Sequence, residues 1–205
     1  MNEVLGALTR KPDRGGDRAL LDDVFDSCLV ATVSTVIGDE PWSVPTLVAR
    51  DGDRLLLHGS TGAGAFRHIA AGAKVAVCGY IVDALVIAER AFDHSANYRS
   101  AVVRGVCRAL DDDEKVGTLD LFTDALLPGR PAECPPRTVR ELAQTLVLEL
   151  PIEPGNWLAK QRTGPAAPSD TSWTGLIPVS MHCGDPVSDS AHPVPPSVSR
   201  RVVGR

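Results

Sequence analysis

Between residues 28 and 110, short apolar runs rich in Val, Ala and Leu follow one another with few residues between them. This spacing limits the fold more than any other feature. The runs cover residues 28–36, 41–50 and 54–58, then 74–82, 85–92 and 99–110. Gly38-Asp39-Glu40 and Asp51-Gly52-Asp53 are hairpin signals, and Asp83-Ala84 reads as a third turn. Pro45 interrupts the second run, and Gly105 reads as a bulge in the last. Helical patterns fit only at the margins: residues 17–27, 65–71, about 111–127 and a turn over 138–142. Asp17 is the expected N-cap of the first, with Leu20, Leu21, Val24 and Phe25 on its apolar stripe. A doubly wound α/β sheet needs a helix between most strands. The spacing therefore predicts a mainly β chain, an antiparallel barrel of six or seven strands with peripheral helices, ending on a strand over residues 145–150.

The 205 residues fit one domain, expected over residues 17–182. Residues 1–16 read as a flexible lead-in, and residues 183–205, rich in Pro and Ser, as a disordered tail. Three Trp, two Tyr and four Phe stand against 18 Gly and 16 Pro, which disfavours a helical bundle. A net charge of −5 argues against a nucleic-acid binder held by phosphate contacts. No apolar run reaches the roughly 20 residues of a membrane span, and the N-terminus lacks the apolar stretch of a secretory signal. Five cysteines without a CxxC pair suit a cytoplasmic protein and offer no structural zinc site.

Three polar segments stand out. His58, Gly59, Ser60 and Thr61 run into Gly62-Ala63-Gly64 and a helix carrying Arg67. Such a stretch suits a phosphate, through backbone N–H groups and hydroxyls, or is simply a flexible connection. Asp93-His94-Ser95 with Asn97, Tyr98, Arg99 and Ser100 is more polar than a turn requires, yet offers no defensible acid–base dyad. Lys160 and Arg162 form a late basic pair before Gly164-Pro165, either an anion clamp or a solvated tail.

Taken in order, these segments, with Val44-Pro45-Thr46-Leu47 before them and Trp173 and Gly175 after, resemble a known family. It is the flavin-nucleotide-binding split-barrel family related to pyridoxamine 5′-phosphate oxidase, in particular its nitroimidazole-resistance-like branch. The resemblance spans residues 17–179. It implies a six-stranded antiparallel split β-barrel that forms a homodimer and binds FMN at the subunit interface. It also implies a flavin-dependent oxidoreductase with a small-molecule substrate. By position, Val44, Pro45 and Thr46 would line the isoalloxazine, while His58, Gly59, Ser60 and Thr61 would face the phosphate, helped by Arg67. Asn97, Tyr98, Arg99 and Ser100, with Lys160 and Arg162, would complete the cofactor site.

The chain departs from the family where a basic residue usually follows the His-Gly-Ser stretch: it has Ala63-Gly64. The usual His-His pair is Asp93-His94. An alternative is therefore a barrel without tight FMN binding that takes haem, a deazaflavin or another small ligand. His58, His68 and His94 are the candidate haem ligands.

Overall fold

Asp17 accepts a hydrogen bond from Leu20 N at 3.1 Å and so starts helix α1 (Arg18–Ser27), as its position before an apolar stripe predicts. The computed structural model describes residues 11–203. Most of the expected lead-in, residues 1–10, and the last two residues of the tail lie outside the described residues.

Ten strands, all paired antiparallel, form one curled sheet among the described residues. They are β1 (Gly15–Gly16), β2 (Val30–Ile37), β3 (Glu40–Asp51), β4 (Arg54–Ser60), β5 (Lys74–Ile87) and β6 (Ser95–Val106), then β7 (Arg108–Ala109), β8 (Thr145–Pro151), β9 (Trp157–Arg162) and β10 (Gly175–Pro178). The order is β1-β9-β6-β5-β2-β3-β4-β8-β7, with β10 paired to β5 off this path. Helices α2 (Gly64–Ala70), α3 (Asp112–Leu126), α4 (Val139–Gln144) and α5 (Pro196–Val203) lie around it. The mainly β split-barrel class is the one the spacing predicts, but the strand count exceeds six.

The differences have physical reasons. Asp83-Ala84 is not a turn: residues 74–87 form one strand whose register against β6 shifts between Val82 and Ala84. The extra residue, Asp83, forms a bulge, and Arg99 satisfies its carboxylate through Nε and Nη2 at 3.2 and 2.8 Å. The bulge lies where one edge of β5 changes partner, from β2 at residues 76–78 to β10 at residues 84–87. Here the barrel splits. Gly105 pairs regularly with Val75 instead of bulging; a Cβ there would come within 3.0 Å of Leu150 Cδ1. Its bare backbone lets the sheet curl until β6 meets β8. The strand over residues 145–150 is followed by β9 and β10. The end of the expected disordered tail carries α5, whose Ser197 is fully buried and donates to Glu133 from N and Oγ at 3.0 and 2.6 Å.

Two apolar cores follow from strand alternation. Leu55 and Leu57 of β4 face the inside of the curl with Val33, Val77, Val103 and the α1 residues Leu21, Val24 and Phe25. Leu56, between them, faces outward and packs with Ala49, Val147, Leu119 and Phe122 beneath α3. All three leucines are fully buried, so β4 is covered on both faces.

Candidate functional site

The predicted site residues fall into two groups, on β3–β4–α2 and on β6–β9. In the sheet order β5 and β2 stand between β6 and β3, a gap of three strand spacings or about 14 Å. One chain therefore does not bring all of them together.

The first group is built on an open edge. The N-terminal half of β3, residues 40–47, pairs only with β2, because pairing with β4 begins at Val48. Pro45, which lacks an N–H, stands on this half-paired stretch. Val44 and Thr46 are half-buried and Pro45 is exposed, as alternation requires. At the end of β4, Ser60 Oγ accepts from Gly62 N at 3.2 Å, and Thr61 N donates to Gln144 O at 3.0 Å. Ala63 N donates to Ser60 O at 2.9 Å. These turn amides are thus already used, but the Ser60 hydroxyl proton has no acceptor among the described residues. The Arg67 side chain is exposed and makes no ion pair or hydrogen bond among them. Gly59 is required by packing, since a Cβ there would lie 3.1 Å from the Phe66 ring.

The second group divides. Tyr98, Ser100 and Lys160 share the outward face with Pro45 by register, and the Lys160 ammonium has no partner among the described residues. Asn97 is buried: its Oδ1 accepts from Arg162 Nη1, and its Nδ2 donates to Gly164 O at 3.1 Å. Arg99 is committed elsewhere, paired with Asp83 and with Asp23 of α1. It clamps the helix to the bulge rather than presenting its guanidinium to a ligand.

The local sequence gave no signal for a groove along α3. Three cavities of about 190, 400 and 700 Å³ share walls: Leu47, Phe122 and Leu126 join the first two, and His58 and Thr145 join the last two. The ring of His58 packs edge-on against Phe122, with centroids 4.5 Å apart. Its Nδ1 is buried without a hydrogen-bond partner, and burial pushes its pKa down. Arg137, at the rim, pairs with Asp120 and donates from Nη2 to Thr123 Oγ1 at 3.0 Å. Phe122 and Arg137 lie more than 60 residues from His58 in the chain, so no spacing pattern could have joined them.

Burial raises the Cys28 thiol to about 11 and Cys107 to about 12, so neither is a thiolate near neutral pH. Among the described residues, no three His, Cys, Asp or Glu side chains gather to hold a metal ion, and no helix is long and apolar enough to cross a membrane.

Residues 17–156 match the family model of pyridoxamine 5′-phosphate oxidase. No curated protein matches the chain in sequence. Among solved structures, the FAD- and haem-binding protein from Mycobacterium smegmatis is 37% identical, with a TM-score of 0.89 over 92% of this chain and 97% of that one. The flavocytochrome Anf3 from Azotobacter vinelandii is 26% identical, with a TM-score of 0.86 over 95% and 94%. A candidate 5-nitroimidazole antibiotic resistance protein from Bacteroides thetaiotaomicron shares the fold at 18% identity and a TM-score of 0.60, over 71% and 84%.

Proposed function

The chain belongs to the pyridoxamine 5′-phosphate oxidase family, and on that premise we propose that it is a flavin-binding split-barrel oxidoreductase acting on a small molecule. The observation that carries this reading is the unpaired edge of β3 at residues 40–47, which ends beside the polar turn after β4. A planar ring lies along such an edge, with its phosphate toward Ser60, Thr61 and Arg67. The resemblance to an FAD- and haem-binding protein along nearly the whole chain supports it.

FMN is the flavin that the family resemblance implies. FAD fits the same turn, because a Cβ on Gly64 would meet nothing within 4 Å and a diphosphate can run past it. When bound, the flavin supplies hydride or single-electron transfer. The protein binds and orients it: Ser60 donates its free proton, Arg67 offers an unpaired cation, and Pro45 keeps the strand edge clear of a ladder donor. Lys160 and Tyr98, three strand spacings away on the outward face, complete the site of a second copy in a homodimer. Val30 and Val36 of β2 and Tyr80 of β5, half or more exposed, give that face its apolar surface.

A second reading, haem, is favoured by the apolar groove at His58 and its unpartnered imidazole. A deazaflavin would take the same strand edge as a flavin. Absorption spectra and thermal unfolding of the full chain, with added FMN, FAD, a deazaflavin or haem, test these readings. A flavin complex with a raised melting temperature is expected. Absence of both signals at saturating FMN and FAD overturns the flavin reading.

A further inference from the structure

The groove along α3 has the chemistry of a tetrapyrrole slot. Leu47, Leu119, Phe122 and Leu126 make its middle section apolar, over about 400 Å³, and it continues into a cavity at either end. Arg137 stands at the rim of that section, and its pairing with Asp120 and Thr123 leaves further N–H groups of the guanidinium for an anionic substituent. The groove thus offers a flat apolar body, one nitrogen donor inside and a cation outside.

The hydrogen-bond states of the histidines decide which one is the donor. His68 Nε2 is engaged with Val36 O at 2.9 Å. His94 is exposed, and its Nδ1 is engaged with Arg90 O at 3.0 Å. His58 has no partner on either ring nitrogen, lines two of the three cavities and is steadied only by Phe122. Resting on the haem reading above, we infer that His58 is the axial ligand of a haem seated between α3 and the outward face of β3–β4, with Arg137 binding a haem carboxylate. The Nε2 lone pair forms the bond to iron while the ring proton stays on Nδ1, so no proton has to leave. Burial favours the neutral imidazole that this bond requires. The neighbouring Cys28 thiol, held protonated by burial, does not compete.

Haemin titration of the full chain tests the assignment. The wild type is expected to show the Soret band of a nitrogen-ligated haem. His58→Ala should bind haem roughly a hundredfold more weakly, the upper end of what losing even an outer-shell partner costs a metal site. Added imidazole should restore the wild-type spectrum to it, because the vacated space admits the free ligand. His58→Cys should bind haem with a thiolate-type spectrum, and His68→Ala and His94→Ala should behave as wild type. Far-ultraviolet circular dichroism checks that each variant is folded. A folded His58→Ala protein with wild-type affinity and spectrum overturns the ligand assignment alone. A wild type that takes up no haem overturns the haem reading with it, while the flavin titration stands or falls separately.

Discussion

Gly64 leaves space where a cation would stand beside the polar turn. Its φ is not positive, and no atom lies within 4 Å of the position a Cβ would take, so an arginine there costs no strain. Gly64→Arg should tighten flavin binding about ten- to a hundredfold, the worth of one charge-assisted hydrogen bond of about 1.5–3 kcal/mol. Fluorescence-quench titration measures this, and an unchanged affinity would show that the cation is not the limiting defect. At this scale the sequence spoke through local chemistry: Asp17 capped α1, and Ser60, Thr61 and Arg67 fell in one turn and the helix after it. It was silent where partners come from far away. Arg99 reads as a site cation until Asp83 and Asp23 are seen to hold it, and His58 reads as a phosphate neighbour until Phe122 closes on its ring.

Among the elements, α3, β7 and β8 are joined by charge. Arg108 of β7 donates to Glu114 of α3 at 2.9 and 3.0 Å and to Glu149 of β8 at 2.7 Å, and Arg54 of β4 donates to Glu149 at 2.7 Å. The hydrogen bonds from Arg108, then from the Asp111 backbone, lower Glu114 from 4.5 to about 2. Arg108 is also the main cause holding Glu149 low, with Arg54 adding to it. A carboxylate depressed in the folded state contributes stability above its unfolded pKa and loses it as pH falls through the folded value. The urea midpoint should therefore decline between pH 4.5 and about 2, and Glu114→Gln should flatten that decline. A wild-type midpoint constant across this window would refute the linkage. Elements with strong local patterns, such as β4 and α1, were legible. The long β5 was not, because an Asp flanked by apolar runs looks like a turn when the arginine that satisfies it lies 16 residues away. β9 and β10 were lost among Gly, Pro and Ser, where pairing partners rather than propensity make the strand.

The whole molecule presents an outward sheet face that is apolar in its middle and basic toward β9. A second copy laid on that face joins the β6–β9 residues of one chain to the β3–β4 residues of the other. Light scattering should report a dimer. Tyr80→Lys, on an exposed side chain of that face, should give a folded monomer with weakened flavin binding. A dimer with unaltered flavin affinity would place the interface elsewhere. The ends of the sheet work in the opposite sense. The path closes on β1 at one end and β7 at the other, each only two residues long. Strands so short offer almost no ladder for a third chain to extend. The molecule can thus hold an adhesive face and still resist fibre growth, because assembly by face contact ends at two copies and assembly by strand addition has nowhere to begin.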